Sequence, residues 1–131
     1  MDMEMDLGFG LEDCVAVITG AGGQIGRVIV AAFLSAGCKV AALDRDKTKF
    51  SIRHERLLWL EVDTTDEQRV LDCWKKAEDH FSAIPSVCVC AAALDLSFVP
   101  HHASAITLPV EQFRKTLDVV SSGWTPIALL D

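Results

Sequence analysis

Short apolar blocks alternate along the chain with segments of helical periodicity. Largely apolar runs occupy residues 14–19, 38–43, 57–62 and 87–93, and such runs are typical of parallel strands buried on both faces. Residues 24–36, 65–84 and 110–122 instead carry apolar side chains at helical spacing. This order predicts right-handed βαβ units, and therefore an α/β fold with a doubly wound parallel sheet of about four strands and helices on both faces.

The ends of the predicted helices carry recognisable boundary residues. Thr65 and Gln68 have the spacing of a capping box, so the second helix is expected to begin there and to be broken by Pro85. Residues 1–12 are acidic and without periodicity. They predict a flexible leader, followed by one domain over residues 13–131.

Charge narrows the range of partners. The 131 residues include 12 basic and 19 acidic side chains, for a net charge of −7. An acidic chain is a poor ligand for nucleic acid or for anionic membranes, and no apolar run has the roughly 18 residues of a membrane helix. The first basic residue is Arg27, which argues against a basic targeting peptide, so a cytoplasmic protein is expected.

The five cysteines form no CxxC pair and lie mostly in apolar runs, which predicts buried, reduced thiols. Cys88 and Cys90 alternate along a predicted strand and should share one face. No further ligand lies near them in sequence, so no metal site is predicted.

A glycine-rich turn lies between the first predicted strand and the first predicted helix. In that context glycines let the backbone approach a pyrophosphate closely, while free N–H groups of the helix face the anion. A simple tight turn is the alternative. The cofactor-binding candidates in the turn are Gly20, Gly22, Gly23, Gln24, Ile25 and Gly26.

Residues at the ends of the other predicted strands complete this candidate site. Asp44 is placed to accept hydrogen bonds from the adenine ribose and to repel a 2′-phosphate, which favours NAD over NADP, although Arg45 beside it could pair with that phosphate. Asp63 is a candidate for the adenine, or a simple cap. Ala91 and Ala92 leave room for a dinucleotide, or pack tightly against a helix.

Over residues 14–123 these motifs resemble the short-chain dehydrogenase/reductase family. Gly20, Gly23 and Gly26 fit the Thr-Gly-x-x-Gly-x-x-Gly spacing of its extended members, whereas Asp44, residues 63–66 and residues 113–119 look like its classical members. The resemblance implies a Rossmann-type fold, a nicotinamide dinucleotide cofactor and oxidoreductase chemistry.

The sequence departs from the classical family pattern at the catalytic positions. Residues 90–93 are Cys-Ala-Ala-Ala where the family has Asn-Asn-Ala-Gly, Val120 takes the place of the catalytic asparagine, and the chain contains no tyrosine. The resemblance therefore implies a chain truncated before the Tyr-x-x-x-Lys pair, inactive alone or completed by a partner chain. The exposed edge of the fourth strand would then favour a homo-oligomer or docking on another protein.

Two other functions stay open at this point. A cofactor-independent isomerase or cyclase could use Asp95, His101 and His102, which follow the fourth predicted strand and include groups that titrate near neutrality. A non-catalytic interaction remnant of a truncated gene is the other alternative.

Overall fold

The computed structural model describes residues 10–92 and 110–122, with an α/β arrangement of elements. Residues 1–9 of the predicted leader therefore lie outside the described residues. The strands are Val15–Thr19 (β1), Lys39–Asp44 (β2), Leu57–Glu61 (β3) and Val87–Cys90 (β4). The α-helices are Gln24–Ser35 (α1), Glu67–Phe81 (α2) and Val110–Leu117 (α3).

The four strands form one parallel sheet in the order β3-β2-β1-β4. The chain runs outward from β1 through β2 to β3, and then crosses back by α2 to place β4 on the other side of β1. This reversal of direction opens a crevice at the carboxyl ends of β1 and β4, which is where doubly wound sheets bind their ligands.

Alternate residues of the sheet pack into two hydrophobic clusters on opposite faces. Val17 of β1 packs in a cluster with Val70 of α2, whereas its neighbour Ile18 packs in a cluster with Val30 of α1. Every residue of β1 is buried, as expected for a central parallel strand. Helices therefore cover both faces, and the predicted doubly wound α/β fold is confirmed.

The start of α2 differs from the predicted capping box. Asp66 is the N-cap, and its side chain accepts from the backbone N–H of Arg69. Thr65 is engaged elsewhere, because its hydroxyl donates to Asp63 across 2.7 Å. Gln68 bonds forward along the helix rather than back to its start. The capping-box prediction was therefore wrong by one residue.

The end of α2 comes earlier than Pro85. The helix ends at Phe81 because Ser82 adopts the left-handed conformation, with φ of 52°. The backbone N–H of Ser82 still reaches the Glu78 carbonyl, so the last turn of the helix is closed without the proline.

The last predicted helix is only partly α-helical. After α3 the chain continues as a π-helical turn over Asp118–Ser122. Across the two described ranges, no helix combines the length and the apolar character needed to cross a bilayer.

The cysteines are less buried than predicted. All five are free thiols, but only Cys38 and Cys73 are buried. Cys14, Cys88 and Cys90 are partly exposed. The last two belong to β4, which within the described residues is an edge strand and so lacks cover on one side.

Candidate functional site

A cleft of about 640 Å³ lies at the carboxyl ends of the strands. Ten of the eleven predicted cofactor-binding residues line it, so segments distant in sequence meet at one place. These ten are Gly20, Gly23, Gln24, Ile25, Gly26, Asp44, Arg45, Asp63, Ala91 and Ala92.

The glycine turn is in close backbone contact with the chain that follows β4. Gly20 has a φ of +61°, and a Cβ there would lie 2.6 Å from the Cα of Ala92. A Cβ on Gly26 would overlap the carbonyl oxygen of Gly20. Both positions therefore require glycine. Gly20 needs it for its positive φ and because there is no room for a Cβ, and Gly26 needs it only because there is no room for a Cβ.

The first turn of α1 presents backbone N–H groups to the cleft. Gly23 is the N-cap and provides no side-chain acceptor, and the first intrahelical bond runs from the Arg27 N–H to the Gly23 carbonyl. The amides of Gln24, Ile25 and Gly26 therefore have no acceptor within the helix. Together with the positive end of the helix dipole, they form a site suited to an anionic group.

Gly22 is the one predicted residue that does not line the cleft. Its backbone N–H donates to Oδ2 of Asp44 across 2.9 Å, so it positions that carboxylate instead. The other oxygen, Oδ1, accepts from the Asp46 N–H at 3.0 Å. These two bonds fix the Asp44 side chain at the wall of the cleft. Asp44 as a whole is only 8% exposed.

Two charged residues beyond Asp44 were missed by the sequence analysis. Asp46 and Lys49 line the cleft together with the predicted Arg45. Asp46 caps a 3-10 turn over Lys47–Lys49 by accepting from the Thr48 N–H and hydroxyl, and these bonds lower the pKa of the Asp46 carboxyl. The turn brings Lys49 against the glycine loop, since a Cβ on Gly22 would lie 2.6 Å from the Lys49 Cβ.

Asp63 is held by the residue that was expected to cap α2. Its Oδ1 accepts from the Thr65 N–H at 2.9 Å and from the Thr65 hydroxyl at 2.7 Å. These two bonds, and to a smaller degree the charge of Arg45, lower the pKa of the Asp63 carboxyl, while burial opposes the shift. Asp63 is therefore an ionised acceptor at neutral pH, at the cleft wall.

Three further lining residues were also missed. Val62 and Thr64 flank Asp63, and both are buried. Because they lie beside the candidate residue Asp63 at the end of a predicted strand, the sequence could have indicated them as lining residues. Val119 comes from the π-helical turn after α3, and no local pattern pointed to it. Val120, which takes the place of the family's asparagine, is instead 48% exposed.

The alternative catalytic candidates Asp95, His101 and His102 lie outside the described residues. In the parts of the chain that the structure describes, His, Cys, Asp and Glu side chains form no group of three or more able to hold a metal ion.

Comparison with known proteins gives the same family from sequence and structure. The short chain dehydrogenase family model matches residues 14–126. The short chain dehydrogenase/reductase notP′ of Aspergillus versicolor is 29% identical over 126 residues, covering 88% of this chain and 41% of the relative. The human 15-hydroxyprostaglandin dehydrogenase [NAD(+)] is 30% identical over 79 residues, covering 53% of this chain and 30% of that enzyme.

Solved structures share the fold. A 3-ketoacyl-(acyl-carrier-protein) reductase from Brucella melitensis, complexed with NADH, matches 90% of this chain with a TM-score of 0.78 and 25% identity. A short chain dehydrogenase from Leptospira borgpetersenii with bound NAD+ matches 89% of it with a TM-score of 0.67 and 24% identity. The chain spans 48% and 44% of their lengths, respectively.

Proposed function

The chain belongs to the short chain dehydrogenase family, and from this membership we propose that its cleft binds a nicotinamide dinucleotide, NAD(H) in preference to NADP(H). The observation that carries the proposal is the glycine turn, in which Gly20 and Gly26 leave no space for a Cβ and three helix amides face the cleft without an acceptor in the helix. The NADH complex of the Brucella reductase supports it by analogy.

Each wall of the cleft fits one part of such a cofactor. The amides of residues 24–26 would bind the pyrophosphate, because they combine free donors with the positive end of the α1 dipole. Asp44 would accept from the adenine ribose hydroxyls, and Asp63 would accept from the adenine amino group. Ala91 and Ala92 would leave room where the dinucleotide crosses the strand ends.

The preference for NAD(H) follows from the charges in the cleft. Among the residues that the structure describes, Asp44, Asp46 and Asp63 line it with only two cations, Arg45 and Lys49, so their summed charge is net negative. Arg45 contributes to the lowered pKa of both Asp46 and Asp63, so its charge already interacts with two carboxylates. A 2′-phosphate would add two more negative charges beside Asp44. Its repulsion by the carboxylates would exceed its attraction to the two cations.

We further propose that this chain supplies cofactor binding and that the proton-transferring group comes from polypeptide outside these 131 residues, such as a partner chain. A bound nicotinamide supplies the hydride chemistry. A side chain that gives or takes the carbonyl proton is also needed, and the sequence contains no tyrosine to do so in the manner of the family.

A titration of the purified chain tests the proposal. NADH and NADPH are added separately, and nicotinamide fluorescence and tryptophan quenching are recorded. We expect saturable binding of NADH, with about tenfold weaker binding of NADPH, equivalent to about 1.4 kcal/mol. A chain that unfolds cooperatively yet binds neither nucleotide would overturn the cofactor assignment.

A charge placed at Gly23 provides a matched pair of variants. Aspartate is a favourable N-cap residue, so Gly23→Asp should keep α1 intact while it places a carboxylate among the amides that would bind the pyrophosphate. Gly23→Ala adds the same Cβ without the charge. We expect NADH binding to be lost in Gly23→Asp and retained in Gly23→Ala.

A further inference from the structure

Two thiols lie in contact on one face of β4, next to the cleft but outside its lining. The Sγ atoms of Cys88 and Cys90 are 3.9 Å apart, and both residues are partly exposed. In the sheet register Cys90 lies opposite Thr19, and Cys88 lies opposite Val17. Val17 packs on the α2 side of the sheet, so the thiol pair occupies the same side, at the edge strand of the described sheet.

We propose that Cys90 is a thiolation site, whose sulfur reacts with small disulfides while the neighbouring Cys88 thiol donates a hydrogen bond to it. Neither the cofactor assignment nor the family resemblance gives these cysteines a role. The site is defined by the contact between the two sulfurs and by its partial exposure.

The surroundings of Cys90 favour its thiolate. Donation from the Cys88 thiol lowers the pKa of Cys90 to about 7, and the Thr19 hydroxyl adds to this effect, while burial opposes it. The same contact raises the pKa of Cys88, which therefore keeps its proton and stays a donor. Cys88 on the same strand and Thr19 on β1 are the groups that set this titration.

The reaction is a thiol–disulfide exchange. The Cys90 thiolate attacks one sulfur of the small disulfide, a new S–S bond forms, and the second half of the reagent leaves as a thiolate. No other oxidant is needed. The product should persist as a mixed disulfide, because Cys88 keeps its proton and only a thiolate attacks an S–S bond.

Thiolation should also act on the cleft, and this step rests on the proposed cofactor site. The Ala91 N–H, next to Cys90, donates to the Thr19 carbonyl across 3.2 Å, and a Cβ on Gly20 would lie 2.6 Å from the Ala92 Cα. A group added at Cys90 therefore strains backbone that is packed directly against the glycine turn. By linkage, bound NADH should disfavour the mixed disulfide at Cys90, so less of the protein should be thiolated at equilibrium with the reagent.

The test uses the reduced, full chain treated with hydroxyethyl disulfide, a small uncharged reagent, and peptide mass spectrometry to follow each thiol. Cys14 is the internal control, because it is also a free and partly exposed thiol. At pH 7 we expect Cys90 to react about threefold faster than an ordinary thiol, since its larger thiolate fraction outweighs its weaker nucleophilicity.

The pH profile shows whether the reactivity of Cys90 comes from the hydrogen bond with Cys88 or only from the exposure of its thiol. The rate at Cys90 should reach half its plateau near pH 7, and Cys88→Ala should move that midpoint upward, whereas Cys88→Ser keeps a donor and should leave it nearly unchanged. Equal rates at Cys90 and Cys14, or a midpoint that Cys88→Ala does not move, would overturn the proposal.

Nucleotide titration of the thiolated protein keeps the two proposals distinguishable. Thiolation at Cys90 together with an absence of NADH binding in the unmodified chain would overturn the cofactor site and leave the thiol site standing. Thiolation that leaves a measured NADH affinity unchanged would overturn the coupling between the two sites. We expect at least a threefold loss of NADH affinity, absent in Cys90→Ser exposed to the same reagent.

Discussion

The backbone N–H of Gly22 donates a hydrogen bond to Oδ2 of Asp44 across 2.9 Å, and so fastens the glycine turn to the end of β2. The Asp46 N–H makes the equivalent bond to Oδ1, at 3.0 Å. Asp44 therefore has two functions: it shapes the cleft in the absence of any ligand, and it presents a fixed carboxylate to one. Its effect on folding and its effect on binding should be measurable separately.

Replacing Asp44 by alanine should lower both stability and NADH affinity. The change removes the charged acceptor of two backbone N–H groups in a part-buried setting. We expect a loss of about 2 kcal/mol in the free energy of unfolding, measured by urea denaturation. Glu61→Ala removes the same charge from an exposed strand end that is outside the cleft lining, and should cost less than about 0.5 kcal/mol.

Alanine at Gly26 should be far more damaging than alanine at Gly23. A Cβ on Gly26 would overlap the Gly20 carbonyl oxygen and lie 2.8 Å from the Ala21 Cα. Both are backbone atoms, which cannot move aside as the end of a side chain can. A Cβ on Gly23 would lie 3.3 Å from the same oxygen, which a small shift accommodates. We expect thermal unfolding to show a loss of about 3 kcal/mol for Gly26→Ala and less than about 1 kcal/mol for Gly23→Ala. Equal losses would contradict the packing argument.

The parallel sheet could be predicted because it depends on the order of apolar segments along the chain. Each strand is a short apolar run, and each crossover helix has its own periodicity, so no long-range information was required. The position of the cleft followed from the same order, since strand ends in such sheets meet at one edge.

Individual hydrogen bonds were predicted less well because residues compete for the same partners. Thr65 and Asp66 are both good N-caps, and the choice between them depends on Asp63, which takes the Thr65 hydroxyl. Gly22 lies within the predicted glycine turn, but its bond to Asp44 spans 22 residues of sequence. Such contacts follow from the packing of distant segments and leave no local pattern.

One arginine side chain donates hydrogen bonds to two carbonyls at the carboxyl end of α1. Arg56, just before β3, donates through Nη1 to the Gly37 carbonyl and through Nη2 to the Leu34 carbonyl, both at 3.2 Å. Its positive charge also interacts favourably with the negative end of the helix dipole. Arg56→Lys keeps the charge but not the fork geometry, and we expect it to cost about 1 kcal/mol in urea denaturation. Arg53→Lys, at an exposed neighbouring site, should have almost no effect.

Asp63 should make stability depend on pH in the acid range. Its folded pKa is lowered, chiefly by the Thr65 N–H and hydroxyl, so the folded state binds a proton less readily than the unfolded chain. The resulting stabilisation is fully present above the unfolded pKa of about 3.9 and is lost as the pH falls through the lower, folded value. Because Asp63 is an exposed residue, solvent screening keeps the effect small.

Thr65→Val isolates the part of this effect that the hydroxyl bond provides, since the side chain keeps its shape and the backbone N–H stays in place. We expect the variant to be about 0.5 kcal/mol less stable than the parent at pH 6 and to approach it below pH 3, by urea denaturation at each pH. Ser35→Ala, on the exposed end of α1, should give a difference that does not vary with pH. A Thr65→Val deficit of the same size at both pH values would show that the hydroxyl stabilises the chain without acting through the ionised carboxylate of Asp63.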